Sequence, residues 1–135
     1  MAEGYGRATI ATDLGPTEMA EIYRRADILV KMSKVESFCL PALEAMACGC
    51  AVVASQPKGA IEYLDHEQNA LVVSPGDVAA CRDQVQRLID DPGLLERLRR
   101  GGLETAAGYS LVQTEQALAD SIKRISGRHR DRLAR

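Results

Sequence analysis

DILVKMSKVESFCLPALEAMACGCAVVA, Asp27 to Ala54, decides the fold. It opens on an apolar run, Asp27 to Lys31, and closes on another, Ala51 to Ala54, neither with the alternation of a strand wetted on one face. Unalternated strands of this kind are covered on both faces of a parallel sheet. Between them Pro41 suits the first turn of a helix, which fixes its φ and needs no N–H there, and Gly49 suits the helix end at about Cys48. Strand, helix, strand in this order is a β-α-β unit.

The pattern extends in both directions. Upstream, Arg7 to Thr12 reads as a strand, and Thr17 as the N-cap of a helix through Arg25, with Glu18 and Glu21 at its positive end. Downstream, Ala70 to Val73 reads as a fourth strand. Asp77 then caps a helix whose apolar residues Val78, Cys81, Val85, Leu88 and Ile89 share one face. Asp91-Pro92 restarts the chain into a helix with Leu95, Leu98, Leu103 and Ala106 inward, and Ser110 caps a last helix carrying Leu111, Leu118, Ile122 and Ile125. The expectation is an α/β fold: a partial doubly wound, Rossmann-like parallel sheet of about four strands with flanking helices. The chain opens on a strand with no Gly-rich first β-α turn, so it reads as part of a larger α/β domain.

Composition narrows the function. The 135 residues are 46% hydrophobic and 27% charged, the profile of one ordinary folded domain. There is no Trp, one Phe and four Tyr, which is little for stacking bases. The net charge of −2 is far from the basic balance of a nucleic-acid binder, so no nucleic acid is expected as a partner. The charge is unevenly placed: positions 123–135 hold six basic residues and one acid, so the body is −7 and the end +5. Residues 1–126 are therefore read as the domain and 127–135 as a basic tail, a solvated terminus or a weak contact for an anionic surface. Cys39, Cys48, Cys50 and Cys81 lack paired C-x-x-C spacing and read as reduced small residues. No signal peptide or spanning segment is seen, and the default expectation is cytoplasmic.

The stretch that carries chemistry runs from Ser33 to Gly49. It leaves the carboxyl end of a strand, where open parallel sheets bind ligands. A helix start near Leu40 frees the backbone N–H groups of about Phe38 to Leu40 for a phosphate. Glu36 on the loop and Glu44 one helical turn beyond Pro41 would face the same crevice, and carboxylates accept well from hydroxyls. Glu44 reads equally as a solvated Glu complementing the helix dipole, and Glu36 as a loop carboxylate without a partner.

The run Glu36 to Ala54 resembles the E-x7-E signature of the retaining, GT-B-fold glycosyltransferases of the group 1 (family 4) type. The similarity continues through Tyr23 to Val30 upstream, and through Gly59 to Glu62 and Asn69 to Asp77 downstream, over most of residues 17–110. It implies the C-terminal, donor-binding part of a GT-B enzyme, an α/β glycosyltransferase segment that binds a nucleotide-sugar and serves retaining transfer of a hexosyl group to a glycan or lipid-linked acceptor. By the same resemblance Glu36 is the catalytic-site residue touching donor-sugar hydroxyls, Glu44 holds the ribose, and Ser37, Phe38, Cys39 and Leu40 offer backbone N–H groups to sugar and diphosphate. No metal and no cofactor is implied; the substrate is a UDP-, GDP- or similar nucleotide-sugar. Ser37, Cys39 and Ala70 stand where many family members have Gly, and the family's acceptor domain and its diphosphate-gripping Arg and Lys have no counterpart here. Lys31 and Lys34 flank the loop as substitutes or as solvated lysines.

The family's common setting is envelope polysaccharide or glycolipid synthesis, which places such a chain in the cytoplasm or peripherally at the inner face of the membrane. Two other readings remain. One is a non-catalytic remnant that dimerises, or a subunit paired with a separate acceptor-domain chain. The other is a sugar-nucleotide epimerase-like protein of the same architecture.

Overall fold

The computed structural model describes residues 11–56 and 62–133. Eight elements follow in order: α1 (Pro16–Arg25), β1 (Ile28–Lys31), α2 (Leu40–Ala47), β2 (Ala51–Ser55), β3 (Leu71–Val73), α3 (Val78–Asp90), α4 (Pro92–Ala107) and α5 (Leu111–Leu133). The three strands form one parallel sheet in the order β1-β2-β3, with Leu29 opposite Val52 and Val53 opposite Leu71. The strand read over Arg7 to Thr12 lies outside the described residues except for Ala11 and Thr12, which are not in a strand, and the Gly59 to Glu62 match falls outside them up to Ile61.

β2 is the centre of the protein. All five of its residues are buried, and its side chains divide between two layers as a pleated strand requires. Val52 and Ala54 face a layer built from α1 and α2 with Tyr23, Ala42, Ala45 and Met46. Ala51 and Val53 face a second layer with Leu71, Cys81, Leu88, Leu94 and Leu98 from β3, α3 and α4. β1 is covered less completely than its apolar run implies: Val30 is 46% exposed. The reason is that α3 and α4 lie over β2 and β3 rather than over β1.

The helix ends follow local chemistry. Asp77 accepts from the Ala80 N–H, so its side chain caps α3 as expected, and Asp91 caps α4 in the same way by accepting from the Leu94 N–H. Gly49, with φ +85°, closes α2 in the left-handed region that only glycine adopts cheaply. α1 corrects the sequence reading, because its cap is Gly15 rather than Thr17: Pro16 takes the first helical position, and the Gly15 N–H donates to the Glu18 carboxylate at 2.7 Å. Ser110 does cap α5, accepting from the Gln113 N–H. The residues set apart as a basic tail continue α5 as far as Leu133.

Three expected core residues are instead exposed: Val78 and Ile89 on α3 and Leu103 on α4. On α4 the inward stripe is Leu94, Leu98 and the pair Gly101-Gly102, so Leu103 falls beside it. The glycines permit close packing. A Cβ on Gly102 would lie 3.0 Å from Met46 Cγ, and one on Gly101 would lie 2.2 Å from the Gln68 carbonyl oxygen. Next to this contact Asn69 is buried and fully used: its amide donates to the Tyr63 carbonyl and to Thr105 Oγ1, and its oxygen accepts from the Asp65 N–H. At the same amino-terminal end of the strands Arg99 ties α4 to the Gly49 carbonyl and to Asp27.

Candidate functional site

The carboxyl ends of β1 and β2 open onto residues 32–39, which lead into α2. Cys39, the N-cap of α2, is left-handed with φ 59° and ψ 55°, and its side chain is buried. Pro41 has no N–H and Ala42 donates to the Cys39 carbonyl, so among the described residues no backbone carbonyl accepts from Cys39 or Leu40. Those two amides are the donors available at this helix end, at the positive pole of its dipole.

The other loop residues are placed differently. Ser37 is exposed, and so is Leu40. Phe38 turns away into a trio with Tyr63 and Tyr109, its ring centroid 5.4 and 5.8 Å from theirs. Tyr63 in turn donates to the Cys39 carbonyl, which fixes the turn from below. Burial pushes the Tyr63 hydroxyl pKa well up, so it acts as a neutral donor. Phe38 and Cys39 thus contribute backbone to the site while their side chains belong to the packing.

Glu36 has partners, unlike the bland sequence reading of it. Its Oε2 lies 3.1 Å from the Lys31 ammonium and 3.4 Å from Ser33 Oγ, and Lys31 also donates to Ser33 Oγ. Hydrogen bonding from Lys31 is the main reason the Glu36 carboxyl is held below its ordinary range; burial opposes it, and the Lys31 charge, Ser33 and the Ser37 amide add to the lowering. Lys31 is therefore committed to Glu36, while Lys34 is exposed.

Glu44 sits in a separate recess. With Leu14, Gly15, Pro16, Met19, Ala20, Tyr23, Ala47 and Cys48 it lines a mostly apolar groove of about 440 Å³ between α1 and α2. The Tyr23 hydroxyl approaches Glu44 Oε2 at 3.5 Å. Glu36 is not among the residues lining this groove. Sequence reasoning missed both this groove and the Lys31 contact. The only available signals were the apolar Leu14-Gly15-Pro16 entry to α1 and a lysine at a strand end. Among the described residues no cluster of three His, Cys, Asp or Glu could hold a metal ion, and no helix is long and apolar enough to cross a membrane.

A parallel sheet in the order β1-β2-β3 with helices on both faces defines an α/β domain of the doubly wound kind. Residues 7–105 match the family described as Glycosyl transferases group 1, and the chain belongs to that family. It is 37% identical over 112 residues to D-inositol 3-phosphate glycosyltransferase 1 of Catenulispora acidiphila, an alignment covering 74% of this chain and 27% of that protein. It is likewise 37% identical over 106 residues to the D-inositol 3-phosphate glycosyltransferase of Saccharomonospora viridis, covering 78% and 25%. The chain thus spans about a quarter of the length of these curated relatives. Among solved structures it resembles the C-terminal domain of the group 1 glycosyltransferase LpcC from Francisella tularensis, with TM-score 0.70, 32% identity, and 76% and 53% of the two chains covered. It also shares its fold with Anabaena Alr3699/HepE in complex with UDP-glucose, with TM-score 0.73, 23% identity, and 78% and 30% covered.

Proposed function

We propose that this chain is the donor-binding part of a retaining group 1 glycosyltransferase, taking a nucleotide-sugar at the start of α2. The observation that carries the reading is the pairing of two amides with no backbone acceptor among the described residues, Cys39 and Leu40, with Glu36 before them and Glu44 one turn into α2. The diphosphate meets the amides. The ribose hydroxyls donate to Glu44, and the base lies against the apolar wall of Leu14, Pro16 and Met19 in the adjoining groove. The sugar extends to the other side, where Glu36 accepts from its hydroxyls. The UDP and UDP-glucose of the HepE structures support a uridine diphosphate donor, and the names of the curated relatives support a phosphorylated inositol acceptor as one candidate beside a glycan or lipid-linked one.

Transfer breaks the bond between the anomeric carbon and the diphosphate oxygen and forms one to an acceptor hydroxyl oxygen on the same face, and the hydroxyl's proton passes to the departing diphosphate oxygen. The electron pair leaves with the diphosphate, so the negative charge grows beside the α2 amides. Stabilisation of that charge is the largest contribution a site of this type makes, and the proposal assigns no metal or cofactor to it.

Titration calorimetry with UDP, UDP-glucose and GDP-mannose tests the reading. Wild type is expected to bind at least one of them. Glu44→Ala should weaken binding by roughly tenfold or more, the worth of charge-assisted hydrogen bonds to ribose. A folded wild type that gives no heat at millimolar ligand would count against donor binding.

A second copy or a separate acceptor-binding subunit is favoured by α5, whose Val112, Leu118 and Ile122 are exposed. Light scattering that finds only monomer, with no change on adding such a subunit, removes that part. The cytoplasmic setting, with weak contact of the basic end 127–135 with an anionic inner membrane face, predicts liposome binding that deletion of those residues abolishes.

A further inference from the structure

We propose that Lys31 is a positioning residue for donor-sugar recognition: its ammonium anchors one oxygen of Glu36 to the end of β1 and leaves the other for the sugar hydroxyls. This rests on the reading that Glu36 meets the donor sugar. Lys31 is the last residue of β1, in register with Ala54 on the buried central strand, so its backbone is fixed by the sheet. Glu36, by contrast, lies in the irregular segment before α2, where a side chain would otherwise have to be ordered by the ligand itself.

The anchor has several parts. Lys31 Nζ and Ser33 Oγ both engage Oε2 of Glu36, while Oε1 has no side-chain partner among the described residues. Ser33 is held from behind, because its carbonyl accepts from Ser55 Oγ at 2.7 Å, and Ser55 is buried at the end of β2. The ion pair is itself half-buried, with the Lys31 and Glu36 side chains 30% and 24% exposed, so salt and water screen it less than a surface pair. A run of contacts therefore leads from the core strand to the carboxylate.

Among the described residues the groups facing Glu36 are Lys31 from β1, Ser33 and the Ser37 amide from its own loop, and Tyr63 from the segment before β3, whose raised pKa keeps it neutral. With Lys31 present the carboxyl stays ionised to lower pH. Without it, Glu36 returns toward its ordinary range and gains its proton at higher pH, and a protonated carboxyl is a poorer acceptor for hydroxyls.

The test compares the affinity ratio of UDP-glucose to UDP across variants. Lys31→Met should reduce that ratio by roughly three- to tenfold, with the preference for UDP-glucose disappearing at a higher pH than in wild type, and Lys31→Arg should restore most of it. An unchanged ratio in Lys31→Met, where Glu36→Gln abolishes it, overturns the inference and leaves the Glu36 reading standing. An unchanged ratio in Glu36→Gln sinks the donor-sugar reading, and the inference with it. A ligand-free measurement decides separately: by carbon NMR the Glu36 carboxyl should titrate at lower pH in wild type than in Lys31→Met, and coincident midpoints overturn the anchor.

Discussion

Gly101→Ala is expected to destabilise the fold by about 2 kcal/mol, although alanine is the better helix former. Two effects of opposite sign meet at this position. Inside a helix, Gly to Ala is worth roughly 1 kcal/mol in favour of the variant. Against it, the new methyl would stand 2.2 Å from the Gln68 carbonyl oxygen, with the Gln68 carbonyl carbon and Asn69 Cα also within 3.3 Å. These atoms are backbone and cannot rotate aside. Overpacking of this kind costs about 1 to 3 kcal/mol or more, and here the shift also strains the Asn69 hydrogen bonds that join the turn to Thr105 on α4. The steric effect wins. At ~4 °C per kcal/mol for a domain of this size, thermal unfolding should move down by about 8 °C. A variant as stable as wild type would mean that α4 does not approach residues 68–69 so closely.

Met46→Ala should cost more, about 3 kcal/mol. Met46 has no solvent exposure and fills the space between β2 and α4, where it lies against Gly102. Truncating a buried side chain of this size removes its transfer free energy and leaves a cavity that rigid neighbours only partly close, for a total of roughly 2 to 5 kcal/mol. The tight contact adds a sign test. Gly102→Ala alone brings a methyl to 3.0 Å of Met46 Cγ and should destabilise, whereas in the Met46→Ala background the same methyl enters the vacated space. Denaturant unfolding of the double-mutant cycle should show a favourable coupling of about 1 kcal/mol. Additive losses would contradict the packing described.

The same contacts show what the sequence could and could not reveal. β2 and α2 were legible because their signals agree: an apolar run without alternation, Pro41 in the first helical turn, and Gly49 where φ must be positive. The inward face of α4 was not. Hydropathy periodicity places Leu103 in the core, but the packing surface is made by two glycines, which carry no hydrophobic signal. Val78 and Ile89 failed in a related way, because an apolar residue at the margin of a helix face is buried only if another element covers it. The cap of α1 was misplaced because Thr17 is the better capping residue, while Pro16 at the first helical position moves the boundary to Gly15.

At the site, the two glutamates and the helix start between them were readable from spacing, position after a strand and family resemblance. Their surroundings were not. Lys31 reads as a solvated strand-end lysine until residues 32–36 fold back and bring Glu36 within 3.1 Å of it. The groove beside Glu44 depends on how α1 packs against α2, which no local pattern encodes. Nothing local to Phe38 shows that its ring belongs to a trio with two tyrosines far along the chain.

The most direct test of the central claim is amide chemical-shift mapping of the isotope-labelled chain as UDP is added. The account predicts the largest saturable shifts at Cys39 and Leu40, followed by Gly15, Met19 and Ala20 on the groove wall, with the groove-wall shifts weakened in Glu44→Ala. Shifts confined to the β3 edge of the described sheet, around Gln56, His66 and Ser74, or no saturable shifts at all, would contradict it.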